Sequence, residues 1–150
     1  MKPERPDTPT ELKVRALRYL ARREHSRSEL ARKLAPHAES PRALELMLDE
    51  LASRKQLSDE RYAETRAHWL ARKYGAAKIR QDLKAHGVAD VIAERVSNEG
   101  EDERARVILA RKYPTPPATR REKARRARFL QSRGFSYETI RRALALADSD

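Results

Sequence analysis

The chain echoes itself at a nearly fixed interval. Leu34 is followed four residues later by Ala38, Leu83 by Gly87 and Leu130 by Gly134, and each of these positions closes one short amphipathic stretch and precedes another. The offsets between the three leucines are 49 and 47 residues. Such self-similarity marks tandem units, each too small to bury its own apolar stripe, so that neighbours must stack. The middle copy, GAAKIRQDLKAHGVADVIAE over Gly75–Glu94, reads most clearly: a helix carrying Ile79 and Leu83, a turn at His86-Gly87, and a second helix opening with Val91 and Ile92.

Helix signals fill in the rest. Residues 1–9 hold three prolines and mixed charge and read as a flexible lead-in. Thr8-Pro9-Thr10-Glu11 is a helix start, with a threonine cap, proline in the first turn and glutamate three residues after the cap. That helix extends to about Arg23 with Leu12, Ala16, Leu17 and Leu20 inward. Ser26 and Glu29 form a capping box for a helix with Leu30 and Leu34 that stops near Pro36, and Ser40-Pro41 opens a third with Leu44, Met47, Leu48 and Leu51. Ser58, flanked by Leu57 and Tyr62, starts the next unit, whose stripe is Ala63, Ala67, Leu70 and Tyr74, ending at Gly75. The last unit begins near Glu101 with Ala105, Ile108 and Leu109. It breaks at Tyr113–Thr119, where three prolines fall within four residues, and resumes behind a Thr119/Glu122 box. Its final helices carry Ala124, Ala127 and Leu130, then Ile140, Ala143, Leu144 and Ala147. No period-two alternation persists anywhere. The expected fold is all-α: three tandem three-helix repeats, 10–56, 57–99 and 100–150, in an elongated, curved arrangement.

Charge distribution narrows the partners. Charged residues make up 38% of the chain and the net charge is +11. Arg104–Arg142 holds 13 Lys/Arg against 2 Asp/Glu, while the rest holds 21 of each sign, so the whole excess lies in the last repeat. A one-sided basic region points to a polyanion or to an acidic protein groove. There are no cysteines, which excludes disulfides and thiolate chemistry. The N-terminal residues have no apolar core and no run approaches the ~18–20 apolar residues of a membrane span. A cytoplasmic protein is expected.

No catalytic or metal constellation emerges. The four histidines, at 25, 37, 68 and 86, are not paired at helical spacing. Four glycines cannot build a phosphate-cradling loop. Pairs such as Asp49-Glu50 and Asp59-Glu60 are explained by ion pairing and helix-dipole compensation. Neither an enzyme nor a cofactor is expected.

The basic faces carry the signal. Arg121, Arg125 and Arg128 share one helix face, with Arg120, Lys123 and Arg126 beside them, and such a face can neutralise several phosphates. Weaker candidates are Arg111-Lys112, Arg72-Lys73 and the set Lys78, Arg80 and Lys84. Arg22-Arg23 and Arg32-Lys33 are weaker candidates too, and these two pairs, Arg72-Lys73 and the Lys78/Arg80/Lys84 set all sit among acids and read better as solvated faces. Trp69, Tyr62 and Tyr74 are of a type that stacks on bases, but their spacing on an amphipathic helix assigns them to the core. No helix offers an Asn/Gln/Arg set for reading base edges.

These residues also carry a family resemblance. Ala16-Leu17-x-Tyr19-Leu20-Ala21-x-Arg23-Glu24-His25-Ser26-x-x-Glu29-Leu30-x-x-Lys33-Leu34 resembles the opening of the RecX family, regulators of the RecA recombinase. Leu57-Ser58-Asp59-x-Arg61-Tyr62-Ala63 follows in order, then Tyr74-Gly75 with Ile79, Leu83, Gly87 and Val88. Arg111-Lys112-Tyr113 and Phe129-Leu130-x-x-Arg133-Gly134-Phe135 complete the set. The likeness spans roughly residues 12–146, with a short connection at Ala38–Ser40 and a proline-rich one at 114–119 as departures. It implies a cytoplasmic, non-enzymatic, all-helical regulator of three tandem three-helix units; a monomer is expected. Such a protein binds RecA and its filament on single-stranded DNA and mainly inhibits recombinase, ATPase and co-protease activities. It transfers no catalytic motif and no invariant binding residue. The rivals are a general single- or double-stranded nucleic-acid binder acting through the basic C-terminal repeat, and a helical scaffold for another partner.

Overall fold

A computed structural model describes the backbone over residues 5–149 and the side chains through Ala145. Met1–Glu4, part of the expected lead-in, and Ala147, placed in the last stripe, lie outside the described residues or side chains. Among the described residues there are nine α-helices, one short 3-10 helix and no strand. The helices are α1 (Pro9–Arg22), α2 (Arg27–Leu34), α3 (Pro41–Ser53), α4 (Asp59–Leu70), α5 (Ala76–Ala85), α6 (Asp90–Asn98), α7 (Glu101–Lys112), α8 (Arg120–Ser132) and α9 (Tyr137–Ser149). The all-α, three-helix-repeat reading holds, and the three aligned leucines, Leu34, Leu83 and Leu130, are all fully buried. The chain divides into two compact units, Met1–Thr65 with His86–Val88, and Arg66–Ala85 with Ala89–Asp150.

In the first unit the helix starts follow from their caps. Thr8 accepts from the Glu11 N–H at 3.2 Å and the Glu11 carboxylate accepts from the Thr8 N–H at 3.0 Å, a complete capping box. Ser26 makes only half of the expected box. It accepts from the Glu29 N–H at 3.1 Å, but Glu29 turns to Arg23, 2.9 and 3.0 Å from its guanidinium nitrogens. Leu12, Ala16, Leu30, Leu34, Leu44, Met47, Leu48, Leu51 and Leu57 form the core. The lead-in is tied down where it is described: the Asp7 N–H donates to the His37 carbonyl at 2.8 Å and Arg15 Nε donates to the Asp7 carboxylate at 2.7 Å. Helix α2 stops at Leu34, near Pro36 as expected, and Pro36 sits in the 3-10 turn Ala35–His37. That turn ends just before Ala38, the position aligned with the left-handed glycines Gly87 and Gly134, and Ala38 itself is extended.

At the equivalent turn of repeat two, Gly87 has φ +84° and the place of a Cβ is taken by the Ser28 side chain. Only glycine meets both conditions. Beside it, Ser26 Oγ donates to the His86 carbonyl at 2.7 Å.

In the second unit α5 packs on α6, and α9 on α7 and α8. Helix α4 ends at Leu70, not at Gly75; a turn intervenes, and Gly75 is buried at the start of α5. The reason is a close approach. The Gly75 N–H donates to the Arg133 carbonyl at 2.8 Å, and an added Cβ would lie 2.5 Å from the Phe135 nitrogen. Glu101 ties the same region together: its carboxylate accepts from the Ala76 N–H at 2.7 Å and from Thr139 Oγ1 at 2.6 Å. Ala105, Ile108, Leu109, Leu130, Phe135, Ile140 and Ala143 form a core, with Tyr113, Ala127, Phe129 and Leu144 against it. Val91, read as opening this helix with Ile92, is exposed; Ala93, Val96 and Ser97 are the buried residues of α6.

Candidate nucleic-acid interface

Helix α8 begins where the proline-rich segment releases the chain. Thr119 accepts from the Glu122 N–H at 3.1 Å, and the Glu122 carboxylate accepts from the Ala118 N–H at 2.6 Å. Glu122 is the only acid in a first turn that also carries Arg120, Arg121 and Lys123. Cations at a helix N-terminus oppose the macrodipole, so helix stability does not account for them.

The structure sorts the basic residues of the last repeat. Arg120, Arg121, Arg125 and Arg128 are exposed, and none forms an ion pair with a carboxylate among the described residues. Lys123 is half-buried. Arg126 is corrected: it is 6% exposed and its guanidinium lies 4.7 Å above the Tyr113 ring, so it faces the core and not solvent. Ala124, expected inward, is exposed. Both follow from the helical turn of roughly 100° per residue, which puts Arg126 one turn before Leu130 on the buried side. Arg106 pairs with Glu103, Arg141 with Glu138, and Arg142 with Asp102 at 3.1 Å. Arg104 is half-buried and donates to the Glu99 carbonyl and, at 3.1 Å, to the Ser97 carbonyl; burial pulls its pKa down.

What remains is the α8 face with the end of α7 and the turn after α8. Arg111 and Lys112 are exposed. Lys112 Nζ lies 5.4 Å and the Arg133 guanidinium 5.1 Å from the Phe129 ring, which meets Tyr113 edge-on at 5.9 Å. Lys78 reaches this end as well. The Ala77 N–H donates to the Gly134 carbonyl at 3.0 Å, and Lys78 Nζ lies 5.3 Å from the Tyr74 ring. Lys84 is engaged with Asp90 at 3.3 Å and Arg80 is half-buried, so these two add least to a free basic face. Arg72 and Lys73 are exposed in the turn after α4.

Two residues were not among the expected contacts. Arg133 joins the Phe129 cluster. Trp69, assigned to the core from its spacing, is 59% exposed, with the Arg72 guanidinium 4.8 Å from its ring. No group of three or more His, Cys, Asp or Glu among the described residues is placed to hold a metal ion.

Three family models match in order: the first three-helix domain of RecX over residues 13–51, the second over 58–96 and the third over 99–144. The chain belongs to the RecX family. Similar relatives include the regulatory protein RecX of Leptothrix cholodnii, 49% identical over 93% of this chain and 90% of the relative. That of Herbaspirillum seropedicae is 45% identical over 95% and 94%. The crystal structure of RecX from Lactobacillus salivarius superimposes with a TM-score of 0.81 at 22% identity, covering 95% of this chain and 97% of that one, which shows a shared fold. The curated RecX relatives are named as regulatory proteins. No described helix is long and apolar enough to cross a membrane.

Proposed function

We propose that this RecX family member binds the RecA recombinase and its nucleoprotein filament on single-stranded DNA. There it modulates, mainly by inhibition, recombinase, ATPase and co-protease activity, as a cytoplasmic monomer without enzymatic activity or cofactor. Membership of the family along all three of its domains carries this reading. Arg120, Arg121, Arg125 and Arg128 of α8, exposed and without a carboxylate partner among the described residues, support it physically, because a nucleoprotein filament presents phosphates and acidic protein surface. Repeat boundaries at 57 and 100 remain part of the proposal. A regulator of this kind acts by binding one filament state better than another, without chemistry of its own.

The test is ATP hydrolysis by the host RecA on single-stranded DNA, with this protein added well below the RecA concentration. Inhibition at that level, persisting on preformed filaments, is the expected result. A protein that only masks DNA must be stoichiometric with nucleotides. No effect at equimolar protein, together with tight binding to bare DNA, would overturn the regulator reading and leave a general nucleic-acid binder.

A further inference from the structure

The single tryptophan of this chain is placed where a core residue is not expected. Trp69 lies near the end of α4, off the Ala63/Ala67/Leu70 stripe, and 59% of it is accessible. Tryptophan and arginine are enriched among the residues that dominate binding interfaces, and here the two meet on one exposed surface. Arg72, one turn on, holds its guanidinium 4.8 Å from the indole.

The surroundings specify the partner. Arg72 and Lys73 are exposed and neither has a carboxylate partner among the described residues. The cation of the same helix nearest to Trp69, Arg66, is held in a fork by Asp82, with both contacts at 3.0 Å. The patch is therefore an indole with one guanidinium on its ring and a second exposed cation, Lys73, next in sequence, neither paired with a carboxylate among the described residues. An apolar or acidic peptide would satisfy one of these features. An unpaired nucleobase followed by its phosphates satisfies both, since the base stacks on the ring and the cations meet the backbone. A duplex, whose bases are already stacked, cannot offer a free face.

We infer that Trp69, with Arg72 and Lys73, is a stacking site for an unpaired base of a single nucleic-acid strand. The site lies outside α8. The inference deepens the proposed function and rests on its single-stranded partner, not on the recombinase.

Because no other tryptophan exists in the chain, its emission reports on this site alone. The full-length protein is titrated with an oligo-dT strand and, separately, with a duplex, following tryptophan emission and the anisotropy of end-labelled DNA. Quenching by the single strand that saturates with the anisotropy curve, and none from the duplex, is expected. Trp69→Ala, an exposed position, should weaken oligo-dT binding by roughly 5- to 150-fold and leave duplex binding and helix content unchanged. Trp69→Phe should recover part of the loss. Strand binding with unchanged emission, or Trp69→Ala binding like wild type, would overturn this inference while leaving the α8 face intact. Absence of any binding to the single strand would overturn it together with the DNA part of the proposed function, though not the contact with the recombinase.

Discussion

At the scale of single residues, His25 shows how a buried polar group is made tolerable. It is 2% exposed, its Nδ1 lies 3.1 Å from the Arg23 carbonyl, and its Nε2 lies 3.0 Å from Lys33 Nζ. A lysine ammonium has only protons to give, so Nε2 accepts and Nδ1 donates, which fixes one neutral tautomer. Burial is the main force lowering the His25 pKa. The nearby Arg23 and Lys33 charges add to it, while the Arg23 carbonyl and Glu29 oppose it. A histidine lowered in the folded state contributes stability that is fully present above its ordinary value, about 6.5, and is lost as pH falls through the lowered one. Glu29 is itself lowered by its Arg23 hydrogen bonds, so it does not titrate in that window. The urea midpoint of the protein should therefore drop between roughly pH 7.5 and pH 5.5. In His25→Gln, which keeps an acceptor and a donor but cannot titrate, that part of the drop should disappear. An equal drop in both proteins would contradict the assignment.

At the scale of elements, α8 is two-sided in a way that simple counting of arginines obscures. Arg125 and Arg126 are neighbours in sequence, yet one is exposed and the other buried on Tyr113. Arg126→Ala removes a cation–π contact and the packing of a buried aliphatic stem, and should cost about 2 kcal/mol in chemical denaturation. Arg125→Ala should stay within about 0.5 kcal/mol of wild type. Equal costs would mean that the helix is turned differently. Much of this architecture could be read from the chain. The caps at Thr8, Ser58 and Thr119, the buried leucines at 34, 83 and 130, and the stripe of α3 all stand where periodicity put them. The misplacements on α8 share one cause, a preference for residue type over angle. Ala124 looked apolar and Arg126 looked polar, although the i, i+4 relation of Arg126 to Leu130 already assigned it inward. Trp69 is a different case: spacing on an amphipathic helix groups it with the core, but it lies beside the Ala63/Ala67/Leu70 stripe and not on it, and it is exposed. The Gly75 approach to Gly134 and Phe135 had no local signal, because it joins segments 59 residues apart in the sequence.

At the scale of the whole molecule, the charge is distributed so that the two proposed activities, DNA binding and regulation of RecA, can be separated. Outside Arg104–Arg142 the basic and acidic residues balance at 21 each. Within that stretch, burial and ion pairing occupy Arg104, Arg106, Arg126, Arg141 and Arg142, which leaves the α8 face as the main cationic surface without carboxylate partners among the described residues. Reversing Arg121, Arg125 and Arg128 to glutamate touches no core contact, so the fold should persist. Affinity for bare single-stranded DNA should fall steeply. The slope of log affinity against log salt should shrink by about 2, the loss expected for three phosphate contacts on a single strand. Regulation of a filament draws on protein contacts as well as phosphates, so inhibition of RecA on preformed filaments should survive in part, or be lost at a different protein concentration from DNA binding. A general nucleic-acid binder has no second source of affinity, and in it both activities must vanish in strict parallel. Measuring ATPase inhibition and DNA anisotropy on the same triple variant therefore discriminates between the two readings, with parallel loss counting against the regulator.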